Sequence, residues 1–428
     1  MLYGPCAGGT EEPASIAYIQ GGYIMKAIYL ASVCATALIA TVGMAAAAGI
    51  SNDVVKIGVL ADMSGVYSTS FSGQGAVDAV KMAVKDFGGT VLGKKIEVIS
   101  ADHQNKADVA SATARQWIDE DHVDMITDLT NSAVGLAVQK VASEKHTITM
   151  NTGAASADLT GKDCTKYGIH YGYDTHALSV GTGTAVVKGG GKTWYFITAD
   201  YTFGHKLEQD TAAVIEKNGG KVLGESRVPL ASSDFSSYLL QAQSSGAKVI
   251  GLANAGGDTV NSIKQAHEFG ITTAGQELAG LLVTIADVKS IGTDVAKGLS
   301  FTTGWYWNMD DKSREWEQRY EKVSNGAAPT FVHAADYSLT IAYLKAIKAA
   351  GTDDPDAVRA ELGKMKIDDF FAKGGYIRQD GLLMHDMYLL KVKTDGKDPW
   401  DVADVVETIP ADQAYASLKE GGCSLADK

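Results

Sequence analysis

Cysteine is scarce in this chain, four in 428 residues with none at C-x-x-C spacing, so neither a disulfide-dense scaffold nor a cysteine-clamped metal module is expected. Basic charge is scarce too. Lys and Arg number 38 against 51 Asp and Glu, the formal net charge is −13, and no basic block occurs, which argues against nucleic acid or an anionic membrane surface as a partner. The sequence also lacks a G-x-S-x-G elbow and an H-E-x-x-H pair. Gly191-Lys192-Thr193 ends like a phosphate loop, but Val186 stands where its first glycine belongs and a strand follows where the loop needs a helix. Gly181-Thr182-Gly183 falls within a helical stretch rather than after the first strand, so it is no dinucleotide fingerprint. His103, His146, His205 and His333 are scattered without a sequence partner for a nucleophile or a metal. An enzyme, a cofactor and a metal are therefore not expected.

What is present is a repeated alternation of strands and helices. Val54 to Leu60 is a short apolar run that reads as a buried strand, and from Gly75 to Phe87 apolar residues recur at helical spacing. Between them, Ala61 to Gly73 is a polar, small-residue loop carrying Tyr67 and Phe71. In an open α/β sheet such a loop sits at the carboxyl end of its strand, where ligands bind, and it is expected to form one wall of a small-molecule cleft. The pattern continues through strands at 95–101, 123–127 and 147–151 with helices at 107–120 and 133–144. It restarts at Asp174, with strands at 193–198, 221–228, 249–253 and 277–282 and helices at 177–187, 204–218, 235–244, 259–269 and near 286–291. Such units imply parallel sheets covered on both faces, and their number implies two α/β lobes in tandem. Leu299 to Trp307 is strand-like, helices follow at 310–325, 332–350 and 358–365, and 375–380 with 385–393 reads as a hairpin around Asp380-Gly381.

The start of the chain is expected to be a leader, residues 1–48. Met25-Lys26 precedes Ala27 to Val42, apolar but too short to span a bilayer, and then the small-residue run Met44 to Ala48 suited to cleavage. Met25 is the expected initiator, with residues 1–24 an over-extended start. A lipoprotein leader using Cys34 is disfavoured, because Val33 precedes it and the apolar run continues beyond. Export leaves Cys164 and Cys423, an even number in an oxidising compartment, so one disulfide is expected, two free thiols being the alternative.

Candidate site residues follow from loops at strand ends. Asn131 and Ser132 open a helix directly after a strand and suit a carboxylate or another polar head, although either could simply cap that helix. Gly153, Ala154 and Ala155 form a turn whose backbone could approach a ligand closely. Tyr201 and Phe203 could stack on an apolar body or pack into their lobe. Asn254 and Thr284 occupy equivalent places after later strands, with nearby Asp258 read as a helix cap. Trp305 stands in the aromatic cluster 305–307, a composition also suited to packing between lobes.

These stretches, IGVLADMSGVYSTSFSGQGAVDAVKMAV, DMITDLTNSAVGLAV, NTGAASADLT, YFITADYTFGHKLEQD, SDFSSYLLQAQSSGAKVIGLANAGGD and GGYIRQDGLLMHDMYLLKVK, resemble in their order the type I periplasmic solute-binding proteins of ABC transporters. The branch in question includes leucine/isoleucine/valine-, amide- and aromatic-acid-binding members. The resemblance implies two doubly wound Rossmann-like lobes with parallel central sheets, joined by a three-strand hinge near Ile169–Asp174, Leu299–Trp307 and Phe371–Ile377. It places 53–172 plus 303–374 in lobe 1 and 173–302 plus 375–428 in lobe 2. It further implies a periplasmic monomer that captures a small-molecule solute between its lobes and meets a membrane permease. Amino-acid binders of the family use a hydroxyl residue and an acidic residue where this chain has Ala155 and Leu281 or Leu282, so an organic acid or a neutral polar compound gains over a zwitterion. A ligand-sensing receptor domain is the alternative within the same fold. It would need a membrane span after the fold, whereas this sequence runs to Lys428 in a polar tail.

Overall fold

The computed structural model describes residues 49–425; the expected leader lies outside them. Val54–Ala61 is the strand on which the first sheet is built, and its apolar residues are consecutive because helices cover both faces. Lys94–Asp102 and Met125–Asp128 flank it in parallel. Ile148–Asn151 and Gly168–His170 extend the sheet on one side, and a short antiparallel strand, Thr90–Val91, edges it on the other. Trp117 of the helix Ala107–Asp119 lies so close over the strand that a Cβ at Gly58 would meet its ring at 2.5 Å.

The second sheet repeats the plan with four parallel strands, in the order Glu277–Gly280, Val249–Ala253, Thr193–Ala199, Lys221–Val228. Among the parallel strands of each sheet, the one that comes first in sequence lies inside, between the second and the third. The chain therefore reverses its direction of winding beside Val54–Ala61 in one lobe and beside Thr193–Ala199 in the other, and such reversals are where open α/β sheets hold ligands. The expected helix over 177–187 is interrupted by a wider turn at Ser179–Gly183, packed so tightly on the strand Ser300–Thr303 that a Cβ at Gly181 would overlap Thr302. That contact accounts for Gly181.

The last hundred residues divide between the lobes. Asp311–Glu321 and Phe331–Ala350 pack on the first lobe, where Tyr320 Oη donates to the Gly75 carbonyl (3.1 Å) and Asp86 pairs with both Arg319 and Tyr337. Gly375–Ile377 pairs antiparallel with Leu383–Met384 around the Asp380-Gly381 turn, and His170 N–H donates to the Gly381 carbonyl at 3.0 Å. The hairpin thus satisfies the open edge of the first sheet, and its return strand ends at Met384. Met387–Val392 belongs elsewhere, between Ser300–Thr303 and an unforeseen edge strand, Ala403–Ile409, in a three-stranded antiparallel sheet. The third crossing is accordingly at His385–Asp386 and not at Phe371–Ile377, because the edge of the first sheet holds the hairpin back. All three crossings meet at one point. His385 Nε2 bonds to the Gly172 carbonyl (2.7 Å), and a Cβ at residue 304 would come within 2.7 Å of that same oxygen. Cys164 and Cys423 form a disulfide, with Cα atoms 5.6 Å apart.

Candidate binding site

Loops from the two reversal points face each other across a narrow cavity, lined by Tyr67, Phe71, Thr130, Asn131, Ser132, Gly153, Ala155 and Tyr173 on one side and Tyr201, Phe203, Ala255 and Leu282 on the other. Five of these twelve residues carry aromatic rings and none carries a charge. In this closed form only about 10 Å³ is free, room for about one water, so the chemistry of the lining and not its volume bears on the ligand.

The first-lobe wall is stiffened from beneath by buried carboxylates. Asp62 accepts hydrogen bonds from the N–H groups of Gly65 (2.7 Å) and Tyr67 (3.0 Å) and from Asn105 Nδ2 (2.6 Å), which shapes the loop bearing Tyr67 and Phe71. Asp128 accepts from Thr130 N–H (2.9 Å), Thr130 Oγ1 (2.6 Å) and Ser72 Oγ (2.7 Å). The backbone there is strained, with φ of +70° at Asp128, +59° at Leu129 and +91° at Asn131. Backbone strain of this kind clusters at binding and active sites. Asn131 Oδ1 caps the helix Ser132–Glu144 by accepting from Ala133 (2.9 Å) and Val134 (3.3 Å), so its capping and lining roles coincide. Ser132 Oγ accepts from Ser156 N–H (3.1 Å) and ties the turn 152–156 against this helix start. Within that turn a Cβ at Gly153 would overlap the Thr130 hydroxyl, which explains why glycine stands there.

Three hydrogen bonds join the loop 66–70 of this wall to the second lobe. Tyr67 Oη and Tyr201 Oη lie 2.6 Å apart, Gly257 N–H donates to the Val66 carbonyl (3.1 Å), and Ser70 Oγ donates to Asp287 Oδ1 (2.6 Å). The arrangement is a closed cleft. Burial pushes the Tyr67, Tyr173 and Tyr201 hydroxyls up, so they remain neutral donors at physiological pH. Burial also raises Asp128, to about 6, against the opposing pull of its Thr130 and Ser72 hydrogen bonds.

Of the residues expected at the site, Tyr67, Phe71, Asn131, Ser132, Gly153, Ala155, Tyr201 and Phe203 are brought together around the cavity. Ala154 lies between two of them, its carbonyl accepting from His170 Nε2 (2.7 Å) and Asn151 Nδ2 (2.8 Å). Asn254 is turned into its own helix, bonded to Ser262 and Thr259, and its neighbour Ala255 takes the lining place. Thr284 forms a capping box with Asp287, and Trp305 donates to Ser313 Oγ (3.0 Å) while packing edge-on against Trp316 and Phe370. Both of these line a separate small cavity beside Phe331 and Trp307. Asp258 is no cap either: it sits in the first turn after the cap Gly256 and accepts from Ala231 N–H (3.1 Å). The expectation overlooked Thr130, Tyr173, Ala255 and Leu282 as lining residues. Thr130 and Ala255 adjoin named residues, Tyr173 falls in an expected hinge segment, and Leu282 had been noted only for its lack of charge.

Comparison with known proteins places this geometry. The periplasmic binding protein family model matches residues 54–397. A periplasmic binding protein from Burkholderia mallei is 55% identical, superposes with a TM-score of 0.86, and the match covers 88% of this chain and 100% of that one. A branched chain amino acid ABC transporter periplasmic ligand-binding protein from Burkholderia xenovorans LB400 is 39% identical with a TM-score of 0.78, over 87% of this chain and 100% of that one. Leu/Ile/Val-binding protein homolog 6 of Brucella melitensis is 24% identical over 350 residues, 79% of this chain and 86% of its own length. With two parallel-sheet lobes closing over a small cavity, the chain belongs to the periplasmic binding protein family, the solute-binding proteins of ABC transporters.

Proposed function

We propose that this protein captures a small organic acid, aromatic or short aliphatic, in the cavity between its lobes and delivers it in the periplasm to a membrane permease, acting as a monomer. The observation that carries the choice of ligand is the absence of any carboxylate among the described cavity-lining residues. A buried α-ammonium without an anionic partner would cost several kcal/mol (on the order of 3). A carboxylate asks less. It can be met by the one hydroxyl proton that the Tyr67–Tyr201 pair does not use between its members and by the positive end of the helix that starts at Ser132. The aromatic rings then enclose the apolar body. The name of the Burkholderia xenovorans relative points to branched-chain amino acids, and Leu282 and Ala155 are the places in this cavity that weigh against carrying that over.

Binding works by closure, with contacts made only when both walls meet supplying the driving energy. Lobe 1 is taken as 53–172 plus 303–374, extended by the hairpin to Met384, and lobe 2 as the remainder. Affinity of about micromolar is within reach of such a cavity. A thermal-shift screen followed by calorimetry tests the reading: benzoate should stabilise the protein and L-leucine should not. Stabilisation by leucine alone would overturn the ligand class and leave the capture mechanism standing.

A further inference from the structure

The three hydrogen bonds that cross the cleft from the Tyr67 loop all originate in one stretch, residues 66–70, but they differ in kind. Tyr67 and Tyr201 line the cavity and would touch a solute; Ser70 and Asp287 do not line it. Both are buried, and the bond between them is short, 2.6 Å, and assisted by the carboxylate. Asp287 is also held independently of Ser70. Its Oδ2 accepts from Thr284 N–H (2.8 Å) and Thr284 Oγ1 (3.0 Å) in the capping box of the helix Ile285–Ile291, so it stays in position when the lobes separate. Ser70 in turn belongs to the loop shaped by Asp62 and by the Ser72–Asp128 bond. Donor and acceptor are thus each fixed to their own lobe and meet only in the closed form.

We infer that Ser70 and Asp287 are positioning residues for solute capture: a latch outside the cavity that favours the closed form and raises affinity for any solute by the same factor. The inference rests on the closure mechanism proposed above and is indifferent to the ligand class. In Ser70→Ala the closed form leaves one Asp287 oxygen buried without its donor, while the open form loses nothing, so the whole cost falls on closure.

The purified protein, Ser70→Ala, Asp287→Asn and the double variant are titrated by calorimetry with benzoate, isobutyrate and L-leucine. The expected result is an affinity lowered about tenfold in Ser70→Ala for each of these that the parent binds, with their ratios unchanged and with no further loss in the double variant. Unchanged affinity, or losses that differ between solutes, would overturn the latch. A second arm needs no solute: deuterium exchange at Gly257, whose N–H crosses the cleft to Val66, should quicken in Ser70→Ala, and if the parent binds none of the three probes, unchanged exchange there overturns the inference. Binding of leucine but not benzoate by the parent would remove the organic-acid reading and leave the latch to be judged on leucine. Should Asp287→Asn fail to fold for want of its cap, Ser70→Ala and Ser70→Cys carry the test.

Discussion

At residue 131 two roles share one side chain, and two substitutions separate them. Asn131→Ala removes the helix cap and puts alanine, which tolerates positive φ less readily than asparagine, at a φ of +91°, so it should lower stability by about 1–2 kcal/mol. Asn131→Gly tolerates that backbone and should lower stability by only a few tenths of a kcal/mol, roughly. Both should weaken solute binding at least tenfold if the amide acts in the site. Retained affinity in the glycine variant would reduce Asn131 to a cap. Gly153→Ala is a different case, since the new methyl would overlap the Thr130 side chain; a loss of about 1–3 kcal/mol is expected from denaturant unfolding. That turns carry ligand-facing residues was legible in the sequence. Which side chain of a turn enters the cavity was not, because Asn254 and Thr284 are claimed by hydrogen bonds to partners three to eight residues on, and a helix start offers the same residue types for capping as for binding.

Among the elements, the strands of the two parallel sheets were plain from their apolar runs, and the hairpin turn from Asp380-Gly381. The strand Ala403–Ile409 was not, since Asp404 to Thr408 are exposed on both faces and no alternation marks them. Beyond it the chain returns to the first lobe. Ala416 accepts from Arg378 (2.8 Å), Tyr415 packs against His385 at the crossing point, and Cys423 bonds to Cys164. This segment makes a covalent tie from the end of the second lobe to the first, across 259 residues of sequence. Cross-linking so long a loop stabilises by up to about 5 kcal/mol in the chain-entropy limit. Cys423→Ser, or reduction of the parent, should therefore lower the melting temperature clearly in a calorimetric scan; an unchanged midpoint would mean that the non-covalent contacts of the segment suffice.

For the molecule as a whole, buried titratable groups set opposing slopes of stability with pH. Burial raises Asp124 and Asp174 to about 7 and Asp258 to about 6. A carboxyl whose folded pKa lies above its ordinary value adds stability in its protonated form, and that contribution, complete below the ordinary 3.8, is lost progressively as pH rises from there to 6–7. Burial lowers His103, His170, His333 and His385 to about 4 from the ordinary 6.5, so their contribution is intact above 6.5 and is lost as pH falls toward 4. Between about pH 4 and 6.5 the two sets oppose each other, and from about 6.5 to 7 only the carboxyl slope remains, so the melting temperature should fall over that last interval and Asp174→Asn should flatten the fall. A steady rise up to about pH 8 would contradict this assignment.

The sequence by itself determined the alternation of buried strands and amphipathic helices, the small polar loops at strand ends, and the lack of catalytic or metal-binding patterns, because each depends on residues close together along the chain. Only the tertiary structure decided that the loops of two separate sheets face one another, that the third crossing falls at His385, and that Tyr173, Ala255 and Leu282 complete the cavity while Thr284 and Trp305 stand outside it. Periodicity fixes which way a side chain points relative to its own strand or helix. It carries no information about what approaches from the other lobe, and here that approach is set by hydrogen bonds between residues more than a hundred positions apart.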